Sequence, residues 1–288
     1  QDIEKLNIHT IVQTKLYENE RKNREISDAA RQHHVAYKFV PTEKTFYGGK
    51  STIELFHYFP VRTVFEQGYW KAYKQVNHHF CDELLKIVQP GDSVWVHDFQ
   101  LMLLPQMLRD KVPDIGIGYF LHIPWPSFEL FRLLPWREEI LQGLLGADLI
   151  GFHSYDYVRH FLSSVSRIAG LEHTLGEVSV QNRVARVDAF PLGIDYNKYA
   201  RATEDEEVQV ETEKIRKTVK NRRTILSIDR LDYTKGIVER LEAFDWFLTT
   251  HPEYKGSVTL IIVAVPSRTG IEDYKLLRER LEQLVGRV

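Results

Sequence analysis

The sequence predicts an α/β protein made of two doubly wound units, the second of which is short. Apolar runs of strand length alternate with segments whose apolar residues recur at helical spacing, and this alternation favours parallel sheets covered by helices. A strongly charged segment at 203–223 follows the first series of strands, which is typical of an exposed connecting helix at a domain boundary. We therefore expect one domain at 1–202 and a second at 203–288.

The composition narrows the class of protein. With 43% hydrophobic and 27% charged residues, the chain has the make-up of a soluble globular protein. The 38 basic and 40 acidic residues give a formal charge of −2, which offers no electrostatic basis for binding nucleic acid or an anionic membrane. The single cysteine, Cys81, excludes an internal disulfide. No apolar run reaches the ~18 to 20 residues that span a bilayer, and no signal-peptide pattern is present, so we expect a cytoplasmic protein.

Periodicity predicts the elements of the first unit. Apolar residues three or four apart from Trp70 to Val88 indicate an amphipathic helix at about 69–88. Ahead of it, a solvated helix is expected at 18–34 and a strand at 35–40. After it we expect strands at 93–100 and 115–121, a helix at 136–145, a strand at 148–152, a helix at 154–168 and a hairpin at 178–190 that turns at Asn182.

The second unit begins after the charged segment. A short apolar strand ending near Arg230 leads through a loop into a helix in which Ile237, Leu241 and Phe244 keep helical spacing. A second buried strand is predicted at 258–265, followed by a helix from 271 to about 285. Two strands are fewer than the ~5 to 6 of an ordinary sheet, so we expect the unit to be incomplete in this chain.

Polar residues follow two strands of the first unit at their carboxyl ends, where α/β sheets bind ligands. Asp98 could accept hydrogen bonds from sugar hydroxyls, or it could cap the helix that follows. His122 lies in a loop stiffened by Pro124 and Trp125, and an imidazole can donate or accept a proton near neutral pH. A histidine satisfied within the core is the alternative interpretation.

Two cations, Arg230 and Lys235, lie in the loop between the first strand and the first helix of the second unit. The start of a helix offers free backbone N–H groups and the positive end of a dipole to an anion. Two cations five positions apart can converge on a diphosphate, although the loop lacks the Gly-rich spacing of a P-loop. In the alternative interpretation, Arg230 pairs with Asp232 and Lys235 extends into solvent.

Five short motifs carry a family resemblance. They are Val-Trp-Val-His-Asp at 94–98, Leu-His-Ile-Pro at 121–124, Gly-Ala-Asp-Leu-Ile-Gly-Phe-His at 146–153, Pro-Leu-Gly-Ile-Asp at 191–195 and Asp-Arg-Leu-Asp-Tyr-Thr-Lys-Gly at 229–236. In this order, over about 45–288, the chain resembles the trehalose-6-phosphate synthases, retaining glycosyltransferases of family 20 with two Rossmann-like domains (the GT-B fold). The resemblance implies an N-terminal acceptor-binding domain and the start of a C-terminal nucleotide-sugar-binding domain.

The resemblance implies transfer of glucose from UDP-glucose to glucose 6-phosphate, with retention, to give α,α-trehalose 6-phosphate. By motif, Arg230 and Lys235 would hold the donor diphosphate and stabilise the charge on departing UDP, with no metal and no further cofactor. Asp98 would bind the acceptor, and His122 would lie against the transferred glucose of the donor. These four residues form the implied catalytic set. Two further acceptor contacts are implied: Tyr47, next to the glycine pair at 48–49, and Arg268.

The chain departs from the family pattern in three places. The family's N-terminal Gly-Gly loop has no counterpart ahead of Gln1, and its Asp-Gly-Met-Asn motif lies beyond the last residue. The chain alone is therefore expected to have little or no turnover. On the acceptor side, Phe99 and Gln100 stand where many members have Tyr and His, and Ile53-Glu54 stand where many have Trp-Pro.

These departures leave two alternatives open. One keeps the donor chemistry with another acceptor, as in glucosylglycerol-phosphate synthases. The other is a non-catalytic subunit that senses sugar phosphates. The resemblance also leaves open a homo-oligomer and a fused or separate trehalose-6-phosphate phosphatase as partner.

Overall fold

The computed structural model describes residues 8–11, 35–36, 54–220, 222–232, 235–265 and 272–286, with backbone alone for 8–11, 35–36 and 272–275. The chain divides into two compact units, Gln1–Gly193 and Ile194–Val288. The domain boundary expected after residue 202 stays a prediction. The helix expected at 18–34 lies outside the described residues.

Within its described ranges, the first unit is built on a sheet of eight strands with the order β2-β1-β3-β4-β5-β8-β7-β6. The strands from β2 to β8 in this order pair in parallel, whereas β8, β7 and β6 form antiparallel pairs at one edge. The strands are β1 (Ile8–Ile11), β2 (Val35–Ala36), β3 (Ser93–His97), β4 (Gly116–Phe120), β5 (Leu149–Phe152), β6 (His173–Thr174), β7 (Glu177–Val180) and β8 (Arg183–Ala189). The predicted α/β class and the hairpin turning at Asn182 are confirmed.

Strand β1 was not expected from the sequence. It lies between β2 and β3, and it pairs with β3 through Ile8–Ser93 to Ile11–Val96. Four residues are too few to show an apolar pattern that predicts a strand. The stability of this strand comes instead from pairing with neighbours on both sides. Its position makes β1 the strand where the chain order along the sheet reverses.

Helices cover the sheet of the first unit, three of them near the positions that periodicity predicted, whereas those at Leu104–Lys111 and Phe128–Phe131 had no predicted bounds. They are α1 (Gln67–Leu85), α2 (Leu104–Lys111), α3 (Phe128–Phe131), α4 (Arg137–Leu144) and α5 (Tyr155–Ser164). On α1 the buried face includes Trp70, Tyr73, Phe80 and Leu84, which are the residues whose spacing predicted it. The helix expected at 154–168 ends instead in a π-helical turn, Val165–Ala169.

The core of the first unit is densely aromatic around Trp125. Its indole is fully buried and contacts the rings of Phe56, Phe131 and Phe161, with centroids 5.1, 4.6 and 4.9 Å away. Edge-to-face and tilted arrangements such as these contribute about 0.5–1.5 kcal/mol per pair beyond the buried area. The cluster fixes the loop that follows β4.

Close packing explains one glycine of the motif at 146–153. A methyl group at Gly146 would lie 2.3 Å from the backbone nitrogen of Gln106 and 2.5 Å from the carbonyl carbon of Pro105. Because these are backbone atoms of α2, no side chain can move aside. We expect Gly146→Ala to lower the free energy of unfolding by about 1–3 kcal/mol, measured by urea denaturation followed by circular dichroism.

Gly68→Ala is the matched control for this prediction. Gly68 lies on the exposed side of α1 with no atom within 4 Å of the added methyl group. Gly68 is the second residue of α1, in its exposed first turn, so this substitution should change the unfolding free energy by no more than about 0.5 kcal/mol. Equal effects of the two substitutions would contradict close packing at Gly146.

In the residues of the second unit that the structure describes, two strands pair in parallel, β9 (Arg223–Arg230) and β10 (Val258–Val265), in register from Arg223–Val258 to Arg230–Val265. Its helices are α6 (Tyr196–Ala200), α7 (Glu206–Val219), α8 (Ile237–Thr250) and α9 (Glu272–Val285). Helix α7 has no buried residue, which confirms the exposed charged helix. A small core forms between α8 and α9: Leu231, Ile237, Val238, Leu241, Leu281 and Leu284.

Across the described ranges of both units, no helix is long and apolar enough to cross a membrane.

Candidate active site

The strand order places three polar residues of the first unit at one edge of the sheet. In doubly wound sheets, ligands bind beyond the carboxyl ends of the strands, near the point where strand order reverses. Here that point lies between β1 and β3. Asp98 follows β3 directly, His153 follows β5 directly, and His122 lies two residues beyond β4. The two side chains predicted for this unit, those of Asp98 and His122, therefore come together.

Asp98 has an unusual backbone conformation. Its φ is 72° and its ψ is 171°, a region that costs a non-glycine residue roughly 1–3 kcal/mol. The backbone N–H of Asp98 donates to the carbonyl of Phe120 at 2.8 Å, and its carboxylate accepts from the backbone N–H of His122 at 3.2 Å. Its side chain is thus turned toward the loop after β4. The alternative role as a helix cap is not supported, because the side chain makes no capping hydrogen bond to the 3₁₀ turn Phe99–Leu101.

Buried side chains hold this conformation in place. The Tyr119 hydroxyl donates to the carbonyl of Asp98 at 3.0 Å. The Tyr73 hydroxyl donates to the carbonyl of Phe99 at 2.6 Å and accepts from the backbone N–H of Met102 at 3.1 Å. Burial raises the pKa of both tyrosines above the ordinary value, so both hydroxyls remain protonated donors.

Asn77 completes this support from α1. Its amide donates to the carbonyl of Gln100 at 3.0 Å, and its side-chain oxygen accepts from the backbone N–H of Leu103 at 3.2 Å. Asn77 is fully buried on a face otherwise made of apolar residues. Sequence reasoning missed it, although a lone amide on the buried stripe of α1 is a signal for such a role.

Removing the Tyr119 hydroxyl tests this support. In Tyr119→Phe the carbonyl of Asp98 loses the hydroxyl donor but keeps the backbone N–H of Leu101 at 3.2 Å, so we expect a loss of about 0.5–1.5 kcal/mol in unfolding free energy. Amide hydrogen exchange in the segment 98–103 should accelerate, because the backbone there is free to relax.

Thr63→Val provides the control within the same unit. The Thr63 hydroxyl donates to the carbonyl of Phe59 at 3.2 Å, a bond that involves no residue of 98–103. This variant should leave exchange in 98–103 unchanged. Unaltered exchange there in Tyr119→Phe would contradict the role assigned to the hydroxyl.

The electrostatics of this edge are set by three histidine rings and by the partly buried carboxyl of Asp98. Burial raises the pKa of Asp98, and the nearby backbone N–H of Phe99, followed by the charge of His122, acts against that rise. His97 Nδ1 lies 2.9 Å from His122 Nε2. Burial, and secondly the charge of His122, lower the pKa of His97 to about 4. The pKa of His153 is also lowered, first by burial and then by His122.

The second unit presents the predicted cations at the end of β9. Arg230 ends the strand, Lys235 precedes α8, and both side chains are exposed. Gly236 has a left-handed conformation (φ 61°, ψ 33°) at the start of α8, which a residue with a side chain adopts only with strain. Neither cation bonds through its side chain to another described residue, so both charges are available to an anion.

Arg240 of α8 supports this loop, and sequence reasoning missed it. Its guanidinium forms an ion pair with Asp229 at 2.8 Å, bonds the Ser227 hydroxyl, and donates to the carbonyl of Lys235 at 3.1 Å. One arginine thus links the strand, the loop and the helix. Arg240 follows Gly236 by one helical turn, a spacing that could have indicated a contact back to the loop.

Two predicted acceptor contacts, Tyr47 and Arg268, lie outside the described residues. Within the described ranges, no group of three or more His, Cys, Asp or Glu side chains is placed to hold a metal ion. The chemistry that these ranges offer is therefore that of a carboxyl, imidazoles and two free cations.

Curated relatives and solved structures match the chain over most of its length. It is 45% identical over 239 residues to the 56 kDa subunit of the UDP-forming α,α-trehalose-phosphate synthase of Saccharomyces cerevisiae, covering 81% of this chain and 48% of that protein. It is 42% identical to the bifunctional trehalose-6-phosphate synthase/phosphatase of Thermoproteus tenax, covering 84% of this chain and 34% of the relative. The chain thus spans about half the length, or less, of these relatives.

Among solved structures, a UDP-forming trehalose-phosphate synthase from Burkholderia xenovorans matches with a TM-score of 0.82 at 27% identity. That match covers 98% of this chain and 69% of the other. A synthase from Burkholderia multivorans matches with a TM-score of 0.84 at 26% identity, covering 98% and 69%. These matches confirm the predicted GT-B fold. The family model for glycosyltransferase family 20 matches residues 7–288, and the chain therefore belongs to that family.

Proposed function

We propose that this chain contributes to a UDP-glucose-dependent synthase of α,α-trehalose 6-phosphate, which transfers glucose to glucose 6-phosphate with retention. The observation that carries the proposal is the pairing of Asp98 with His122 beyond the strand-order reversal, in a chain of family 20. Relatives named UDP-forming trehalose-phosphate synthases, at about 45% identity, support the same activity.

In the proposed reaction, the bond from the anomeric carbon of glucose to the UDP phosphate oxygen breaks, and its electron pair leaves with UDP. Arg230 and Lys235 stabilise that charge as preorganised cations, a role for which no metal is needed. An acceptor hydroxyl forms the new bond on the face that UDP leaves, and its proton passes to the departing phosphate. This route needs no carboxylate nucleophile, unlike retaining hydrolases.

On the acceptor side, Asp98 is proposed to accept hydrogen bonds from sugar hydroxyls. The two tyrosines and Asn77 that fix its backbone keep the carboxyl in one position, which lowers the entropy lost on binding. Tyr47 and Arg268 remain proposed acceptor contacts, and His122 is proposed to contact the transferred glucose. A cytoplasmic location, self-association and a trehalose-6-phosphate phosphatase as fused or separate partner stay predictions.

The proposal is tested with the protein at its full natural length. UDP release from UDP-glucose is measured with glucose 6-phosphate and, separately, with glycerol 3-phosphate as acceptor. Turnover with glucose 6-phosphate supports the proposal, whereas turnover with glycerol 3-phosphate alone replaces it with the alternative acceptor. Calorimetric binding of glucose 6-phosphate without binding of UDP would instead identify a sugar-phosphate sensor.

A further inference from the structure

Two consecutive residues of the first unit, His97 and Asp98, contact His122, one at its ring and the other at its backbone. The carboxylate of Asp98 accepts from the backbone N–H of His122 at 3.2 Å. His97 reaches the ring of the same residue, with its Nδ1 2.9 Å from Nε2. The register of β3 and β4, which pairs His97 with Phe120, brings the two histidines together.

A bond between two imidazoles constrains both rings. One nitrogen must carry the shared proton and the other must present a lone pair, so the pair cannot form between two cationic rings. The bond occupies Nε2 of His122 and leaves Nδ1 as the ring nitrogen for a ligand. Which nitrogen of an imidazole is available follows from the bond that the other one makes.

The surroundings of His97 keep its ring in place. The ring packs against Trp95, with centroids 4.5 Å apart, and is half-buried, whereas His122 is exposed. Phe120 contacts the ring of His122 at 4.9 Å. A side chain present only to fill this space would need no nitrogen atoms, and that difference separates the two roles experimentally.

We propose that His97 is a positioning residue for the glucosyl transfer: its Nδ1 holds Nε2 of His122, so that the exposed imidazole meets the sugar donor in one orientation. The inference rests on the proposed function for its kinetic consequence. Its structural part, the bond between the rings, does not depend on that function.

Two substitutions in the full-length protein test the kinetic part. His97→Phe keeps an aromatic ring against Trp95 and removes both nitrogens, whereas His97→Asn retains a polar atom near the position of Nδ1. We expect kcat/KM for UDP-glucose to fall about tenfold in His97→Phe, the effect of losing one hydrogen bond. His97→Asn should recover most of the loss. KM for glucose 6-phosphate should change less than about twofold in both variants, because the lost bond orients a ring that meets the donor and not the acceptor.

A second measurement needs neither turnover nor a variant. In protein labelled with ¹⁵N-histidine, a nitrogen–nitrogen scalar coupling should connect His97 Nδ1 with His122 Nε2. Absence of this coupling overturns the inference, even if His97→Phe fails to fold. Normal kcat/KM in a folded His97→Phe variant, or equal losses in the Phe and Asn variants, overturns it as well. If the wild-type protein shows no turnover while the coupling is present, the proposed function fails and the bond between the rings stands.

Discussion

Replacing Arg230 and Lys235 together by alanine is expected to lower kcat of the full-length protein by at least about a hundredfold. In the proposed role each cation would make a charge-assisted contact worth roughly 1.5–3 kcal/mol, which is about 10- to 100-fold in rate when the charge develops in the transition state. Both side chains are exposed and make no side-chain bond to other described residues. Their removal should therefore cost little folding stability, and the measured loss should report on catalysis.

Arg223→Ala is the control for these substitutions. Arg223 begins β9, the strand that Arg230 ends, and it too is exposed. An eight-residue strand separates the two ends by roughly 23 Å, so this variant should keep wild-type kcat and wild-type UDP affinity by calorimetry. Near-normal turnover of the double variant would show that the two cations take no part in the mechanism.

Strands with strong apolar runs were predictable because their signal is local. The run that forms β10, Val258–Val265, is confirmed at both ends, since eight consecutive apolar or β-branched residues leave few alternatives. Strand β1 was not predictable from its own four residues. Its stability comes from β2 and β3, and pairing of this kind is not encoded in one segment.

The candidate site likewise combines residues that the local sequence predicts with contacts that depend on the assembled fold. Asp98 and His122 were predicted as candidates from their places after strands, and the structure brings the backbone nitrogen of His122 within 3.2 Å of the Asp98 carboxylate. The backbone at Asp98, which has a positive φ, and at the next residue Phe99 accepts bonds from the hydroxyls of Tyr119 in β4 and Tyr73 in α1. Periodicity identified Tyr73 as a core residue of α1, but its hydroxyl bond is a property of the assembled unit.

The supporting residues were harder to predict than the residues they support. His97 belongs to the motif at 94–98, but its contact with His122 was not predicted, because the sequence does not reveal which rings meet across two strands. By its residue type alone Arg240 is one more charged side chain of α8, yet it links Ser227, Asp229 and the carbonyl of Lys235. Single-sequence reasoning finds groups at strand ends, whereas their partners follow from packing.

Replacing Trp125 by alanine is expected to lower the unfolding free energy of the first unit by about 3–5 kcal/mol, the cost of removing a large ring from a filled core. The indole is fully buried among phenylalanine rings, and it lies three residues after His122. The cavity would therefore loosen the loop that carries the imidazole. Urea denaturation followed by circular dichroism measures the first effect, and hydrogen exchange at 122–125 measures the second.

Tyr155→Ala separates burial from the loss of an aromatic ring as such. Tyr155 belongs to the same unit, and 76% of its surface is exposed, so its removal should change stability by no more than about 0.5 kcal/mol. A loss in Trp125→Ala as small as that of Tyr155→Ala would mean that the aromatic cluster is not what fixes the loop. A large loss with unchanged exchange at 122–125 would mean that the main chain holds His122 without the indole, through the bond from its N–H to Asp98.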